Sequence, residues 1–130
     1  MLRKFSVISL GLFLGCSGRP GLSAAGPVPS PRTATVSATP NVAFDPIPAT
    51  IAPGGTVTFA FGAVPHNVYF DAVPGAPADI PGANVNASAT RTFAAAGTYT
   101  FRCRIHPGMK GSIIVSDTTA VISNGTSNHN

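Results

Sequence analysis

Between Gly97 and Gly111 the chain reads Gly-Thr-Tyr-Thr-Phe-Arg-Cys-Arg-Ile-His-Pro-Gly-Met-Lys-Gly. Tyr99, Phe101 and Cys103 alternate with Thr98, Thr100, Arg102 and Arg104. A period of two with one apolar face predicts a strand whose inner face is shielded from water. The alternation places the Cys103 thiol on that inner face. Pro107 and Gly108 then end the strand. Such breakers recur along the whole chain. Fourteen glycines and thirteen prolines make up about a fifth of its 130 residues, too many for a helical protein and suited to short strands joined by turns.

The strand and its turn carry three soft or borderline metal ligands within seven residues: the Cys103 thiolate, the His106 imidazole and the Met109 thioether. Two imidazoles and a thiolate in one plane, with a weak and distant thioether, are the ligand set of a mononuclear copper site. Such a plane needs a second histidine. The chain has three, and His129 lies in a polar tail, so His66 is the candidate. Each residue alone has a plainer explanation. An inward cysteine is most often a small buried hydrophobe, a lone histidine a loop or core residue, and a lone methionine core filling. Their convergence at one strand end favours the metal.

The run from Gly97 to Met109, with Pro65-His66-Asn67-Val68 upstream, resembles the cupredoxins, the blue type 1 copper proteins of the plastocyanin and amicyanin kind. The resemblance spans roughly residues 35 to 116. The Cys-x-x-His-x-x-Met spacing is of the short-loop, amicyanin-like type, and Ile105 stands where many members carry Pro or Gly. The resemblance implies a type 1 copper ion held by His66, Cys103, His106 and Met109. It also implies a supporting role for Asn67: its amide would point at the Cys103 sulfur and its side chain would tie the two ligand loops together.

Three segments flank the predicted domain. Residues 1 to 15 read as a signal peptide, with Arg3 and Lys4 ahead of the apolar run Val7 to Leu14, which is too short for a permanent membrane anchor. Cleavage near residues 24 and 25 would release a soluble protein. Alternatively, Leu12 to Cys16 resembles a bacterial lipobox, and a lipidated Cys16 would tether the chain to a membrane. Both readings export it to the periplasm or its membrane. Residues 16 to 32 are a flexible Ser/Gly/Pro/Ala linker, and residues 117 to 130 a polar tail. Asn86-Ala87-Ser88 and Asn124-Gly125-Thr126 match glycosylation acceptors, but the bacterial-looking leader argues against that use.

The copper-binding domain is assigned to residues 33 to 116. Strands are expected at 33–39, 56–61, 66–71, 88–93, 98–103 and 112–115, with an extended, proline-bearing edge at 44–51 and a loop at 72–87. Seven to eight short strands separated by turns predict an all-β, Greek-key β-sandwich. Phe44, Phe59, Phe61, Tyr69, Phe93, Tyr99 and Phe101 are expected to fill it.

The formal net charge of +4 misleads, because Arg3, Lys4, Arg19 and Arg32 precede the domain. Beyond residue 32, Arg91, Arg102, Arg104 and Lys110 balance Asp45, Asp71, Asp79 and Asp117. No basic stripe of the kind nucleic-acid binding needs is present. Cys103 is the only thiol left in the exported domain, a usage typical of pairing, reactivity or metal binding. A second cysteine for a binuclear centre, His-x-His pairs and a general acid–base pair are all missing. Four protein ligands leave no open position for substrate. The reading is an exported electron carrier rather than an enzyme: a monomer passing single electrons to redox partner proteins that dock transiently near His106. The alternatives are a copper storage or delivery module without electron transfer, and a metal-free β-sandwich adhesion module.

Overall fold

A computed structural model describes residues 26 to 119. The leader, Cys16, both cleavage positions, Asn124 and His129 lie outside the described residues. The strands are β1 (Val28–Pro29), β2 (Thr33–Ala38), β3 (Phe44–Asp45), β4 (Ala49–Ile51), β5 (Gly55–Phe61), β6 (His66–Phe70), β7 (Ile80–Asn84), β8 (Ala87–Phe93), β9 (Gly97–Arg102), β10 (Lys110–Val115) and β11 (Thr118–Thr119). Eight of them have three or more residues, and no described residue is helical. The chain is an all-β sandwich.

One sheet has the order β3-β2-β5-β8 and the other β4-β10-β9-β6-β7. The chain changes sheets between β3 and β4, where Pro46 and Pro48 stand, so the prolines sit between two edge strands that need few of their donors. Strands β2 and β5 run parallel, as do β4 and β10; the hairpin-like pairs are antiparallel.

The inner faces follow the period of two. On β5, Val57, Phe59 and Phe61 are buried while Thr56, Thr58 and Ala60 are partly exposed. On β9, Tyr99 and Phe101 are buried while Thr98, Thr100 and Arg102 are exposed. The rings of Phe59 and Phe101 meet edge to face at 5.3 Å, and Phe44 meets Phe101 at 4.9 Å. Edge-to-face packing of this kind adds roughly 0.5–1.5 kcal/mol per pair beyond area burial. Val36, Ile51, Val68, Phe93 and Ile113 complete the fully buried centre.

Four expectations need correction. The stretch read as a loop at 72–87 contains β7. Its Ile-Pro-Gly-Ala-Asn sequence hides the strand, which pairs at the sheet edge with β6 through an irregular register. Tyr69 does not fill the core; Val68 and Phe70 point inward and Tyr69 outward. Strand β9 ends at Arg102, one residue before Cys103, and β10 begins at Lys110, two before the expected Ser112. Finally, β1 comes from the stretch read as linker and β11 from the polar tail. They pair as a two-stranded ribbon, and the Ser30 amide donates to the Asp117 carbonyl at 3.1 Å.

Candidate metal centre

The site lies at one end of the sandwich, where β6 begins and where β9 gives way to the turn before β10. His66 opens β6 and is fully buried. Cys103 follows β9 and keeps the inward direction set by Tyr99 and Phe101; it is 3% exposed. The turn from Cys103 to Met109 is closed by its own backbone. The Cys103 amide donates to the Met109 carbonyl at 2.9 Å, and the Met109 amide donates to the His106 carbonyl at 3.2 Å. Gly108 takes a φ of 87° within this turn, a left-handed conformation that favours glycine.

Three donor atoms converge. The Cys103 Sγ lies 3.9 Å from His66 Nδ1 and 3.8 Å from His106 Nδ1, and the two nitrogens are 3.1 Å apart. A point equidistant from all three lies about 2.1 Å from each, inside the roughly 2.0–2.3 Å window for thiolate and imidazole ligation of a divalent ion. Nitrogen-to-nitrogen spacing that short between two imidazoles is unfavourable if both carry a proton there, and natural if both lone pairs face one cation. The chemistry and spacing of the donor set therefore fit a metal ion. Met109, which ends the turn, is also buried, at 3% exposed. Its burial removes it from the surface on which a partner could dock.

The tautomer of His66 is set from behind. Its Nε2–H donates to the Thr39 carbonyl at 3.1 Å, leaving the Nδ1 lone pair for the centre. Thr39 is held in turn by a tight turn: its amide and hydroxyl both donate to the Ala43 carbonyl, at 2.8 and 3.1 Å. In the metal-free protein burial, reinforced by the neighbouring His106, holds His66 below the ordinary imidazole pKa of 6.5; the Thr39 bond opposes this. His106 is half-buried, so part of the residue reaches the surface.

Asn67 locks the two ligand-bearing segments together. Its Oδ1 accepts from the Arg104 amide at 2.7 Å, and its Nδ2 donates to the Gly82 carbonyl at 3.0 Å. The side-chain tie anticipated from the sequence is present. The sulfur's hydrogen-bond partners are the two imidazole nitrogens, and the Asn67 amide is not among them. Three further contributors were missed. Asn84 donates to the His66 carbonyl at 3.0 Å; Gly82 and Thr39 act through backbone carbonyls, which carry no side-chain signal. Asn84 lay within the stretch read as loop.

Comparisons with known proteins place these features. Residues 32–116 match the family of copper binding proteins, plastocyanin/azurin family. Over 55 residues the chain is 42% identical to amicyanin-alpha of Methylorubrum extorquens, a match that covers 41% of this chain and 46% of that relative. It is similar to the structure of a reduced amicyanin variant, with a TM-score of 0.55 and 30% identity over 63% of this chain and 80% of the other. It is also similar to a purple cupredoxin from Nitrosopumilus maritimus, with a TM-score of 0.56 and 26% identity over 64% of this chain and 99% of the other.

Proposed function

The chain belongs to the plastocyanin/azurin family of copper-binding proteins, and on that premise we propose that it is an exported electron carrier with one mononuclear type 1 copper ion. The observation that carries the reading is the convergence of His66 Nδ1, His106 Nδ1 and Cys103 Sγ on one point, backed by a rigid aromatic core. His66, Cys103 and His106 would hold the ion, and Met109 would supply a fourth, weaker ligand. When bound, the copper supplies a one-electron couple.

The chain's own residues do the rest. The Thr39 carbonyl holds the His66 ring in a single tautomer and orientation. The Asn67 bonds fix the ligand loop against β6, so the donor atoms keep their places in both oxidation states. Burial of Cys103 and His66 excludes water from the thiolate. The exposed part of His106 is the contact for a partner. The neighbours of His106 in sequence, Ile105, Pro107 and Gly108, are exposed and Pro65, next to His66, is half-buried, which suits a small and transient apolar contact. The leader at residues 1 to 15 supports export, with either a lipid on Cys16 or cleavage near residues 24 and 25. The protein acts as a monomer.

Cyclic voltammetry of the copper-loaded chain tests this. The reading predicts a reversible one-electron wave from one copper per chain, with little change in shape over repeated cycles. Colourless Cu(I) that exchanges readily into a chelator, without a reversible wave, would favour the storage and delivery alternative.

A further inference from the structure

The outer faces of the two sheets differ sharply in charge. On β2, β5 and β8 the outward rows are Thr33–Thr56–Thr92, Thr35–Thr58–Thr90 and Ser37–Ala60–Ser88, all uncharged. On the other sheet, Tyr69 of β6 lies opposite Arg102 of β9, and Arg102 opposite Lys110 of β10. Directly opposed residues share a face, so these three side chains form an outward row across the middle of the sheet. Arg104 joins them: its guanidinium lies 3.7 Å from the Tyr69 ring centroid, stacked on it. Three of the four bases beyond residue 32 thus gather on one flank. The fourth, Arg91, is on the opposite sheet and is bound by the carbonyls of Ala78, Asp79 and Thr90.

The gathering is not neutralised. Its one carboxylate, Asp71, binds a single nitrogen of Arg102 at 2.7 Å and the hydroxyl of Thr100. A guanidinium has five N–H donors, so most of those on Arg102 stay free. Among the described residues, the side chains of Arg104 and Lys110 donate to no carboxylate, carbonyl or hydroxyl. Asp71, Thr100, Arg102 and Lys110, together with Phe101 and Gly111, also line an open cavity of about 350 Å³. The flank therefore has a recess with unpaired donors at its rim, next to the residues that precede and follow Cys103.

Building on the electron-carrier reading, we propose that this β6–β9–β10 flank is a docking surface for an acidic protein partner, whose Asp or Glu side chains enter the recess between Arg102 and Lys110 and pair with Arg104. Charge complementarity identifies the occupant: the patch sets three cations against Asp71 alone, while the rest of the domain beyond residue 32 sets only Arg91 against Asp45, Asp79 and Asp117. Its three cations occupy one compact cluster, matched to a few carboxylates; a nucleic acid presents an extended track of phosphates at about 1.7 Å intervals along its axis. Planar guanidinium groups pair with carboxylates through two parallel N–H donors. The surface adjoins the apolar end at His106 through Arg104 and Ile105, and gives steering and orientation at low salt.

The test uses the full chain and a ten-residue glutamate peptide, with amide shifts mapped by NMR at low salt. Shifts are expected to cluster at Tyr69, Asp71, Thr100, Arg102, Arg104 and Lys110, and to fade as salt is raised. The pair Arg104→Gln and Lys110→Gln should weaken the peptide about tenfold, while Arg32→Gln, which removes a charge elsewhere, should have little effect. Shifts centred on the His106 end, equal weakening by Arg32→Gln, no saturable binding, or tighter binding of a DNA oligonucleotide than of the peptide would each overturn the proposal. The peptide assay needs no metal. A chain that turns blue with copper yet ignores the peptide loses this surface alone; a chain that binds the peptide but never takes up copper loses the electron-carrier reading.

Discussion

Replacing Asn67 with Ala removes one side chain and two hydrogen bonds that join three parts of the site. The Arg104 amide loses its acceptor at 2.7 Å and the Gly82 carbonyl its donor at 3.0 Å. Asn67 is 6% exposed, so its own burial is nearly complete. Each such bond contributes about 1 kcal/mol net, and the exposed Arg104 and Gly82 allow water to replace part of what is lost. The metal-free protein should therefore lose about 2 kcal/mol, which for a domain of this size lowers Tm by roughly 8–16 °C. A second effect appears with copper. Untying the ligand loop from β6 leaves His106 and Cys103 less firmly placed, and loss of a supporting residue at a metal site typically costs about 10–100-fold in affinity. Differential scanning calorimetry of the metal-free chain and competition for Cu(II) against a chelator measure the two effects. Asn67→Asp retains the acceptor for the Arg104 amide and should fall between wild type and Asn67→Ala in Tm. A Tm within 2 °C of wild type together with unchanged copper affinity would refute the role assigned to Asn67.

Further outcomes follow from the same structure. In the metal-free protein the folded chain binds fewer protons than the unfolded chain between the lowered pKa of His66 and 6.5. Stability is therefore complete above about pH 6.5 and falls as pH drops toward the folded value; urea midpoints of the metal-free chain that rise on acidification from pH 7 to 5 would contradict this. Gly111→Ala should destabilise the sandwich by roughly 1–3 kcal/mol, because the added Cβ would lie 2.6 Å from Phe101 Cζ and 2.9 Å from Ile47 Cγ2; a denaturation midpoint equal to wild type would show that the core yields. Intact mass of the exported protein decides the leader. A lipid on Cys16 that Cys16→Ser abolishes supports the tether, and a lipid-free N-terminus near Ala25 supports the soluble form.

Much of the site was legible because its chemistry sits in side chains at short spacing. Cys103, His106 and Met109 fall within seven residues, and the alternation of Tyr99, Phe101 and Cys103 gave the direction of the sulfur. The two large sheets followed from period-two patterns on β5 and β9, where one face is buried and the other wet. What escaped has physical reasons. Strand β7 is an edge strand that carries Pro81 and Gly82 and pairs irregularly with β6, so neither propensity nor alternation marks it. Tyr69 and Phe70 are adjacent aromatics, and only the register of β6 decides which one faces the core. The Thr39 carbonyl that sets the His66 tautomer is a backbone group brought close by a turn 27 residues earlier in the chain.

The central claim is that His66, Cys103 and His106 hold one copper ion through two nitrogens and a thiolate. Titration of the purified chain with Cu(II), followed by visible absorption, tests it most directly. The account predicts an intense thiolate-to-copper band that saturates at one copper per chain and is lost in Cys103→Ser. A Cys103→Ser protein that keeps the band, or a wild-type chain that binds Cu(II) without one, would contradict it.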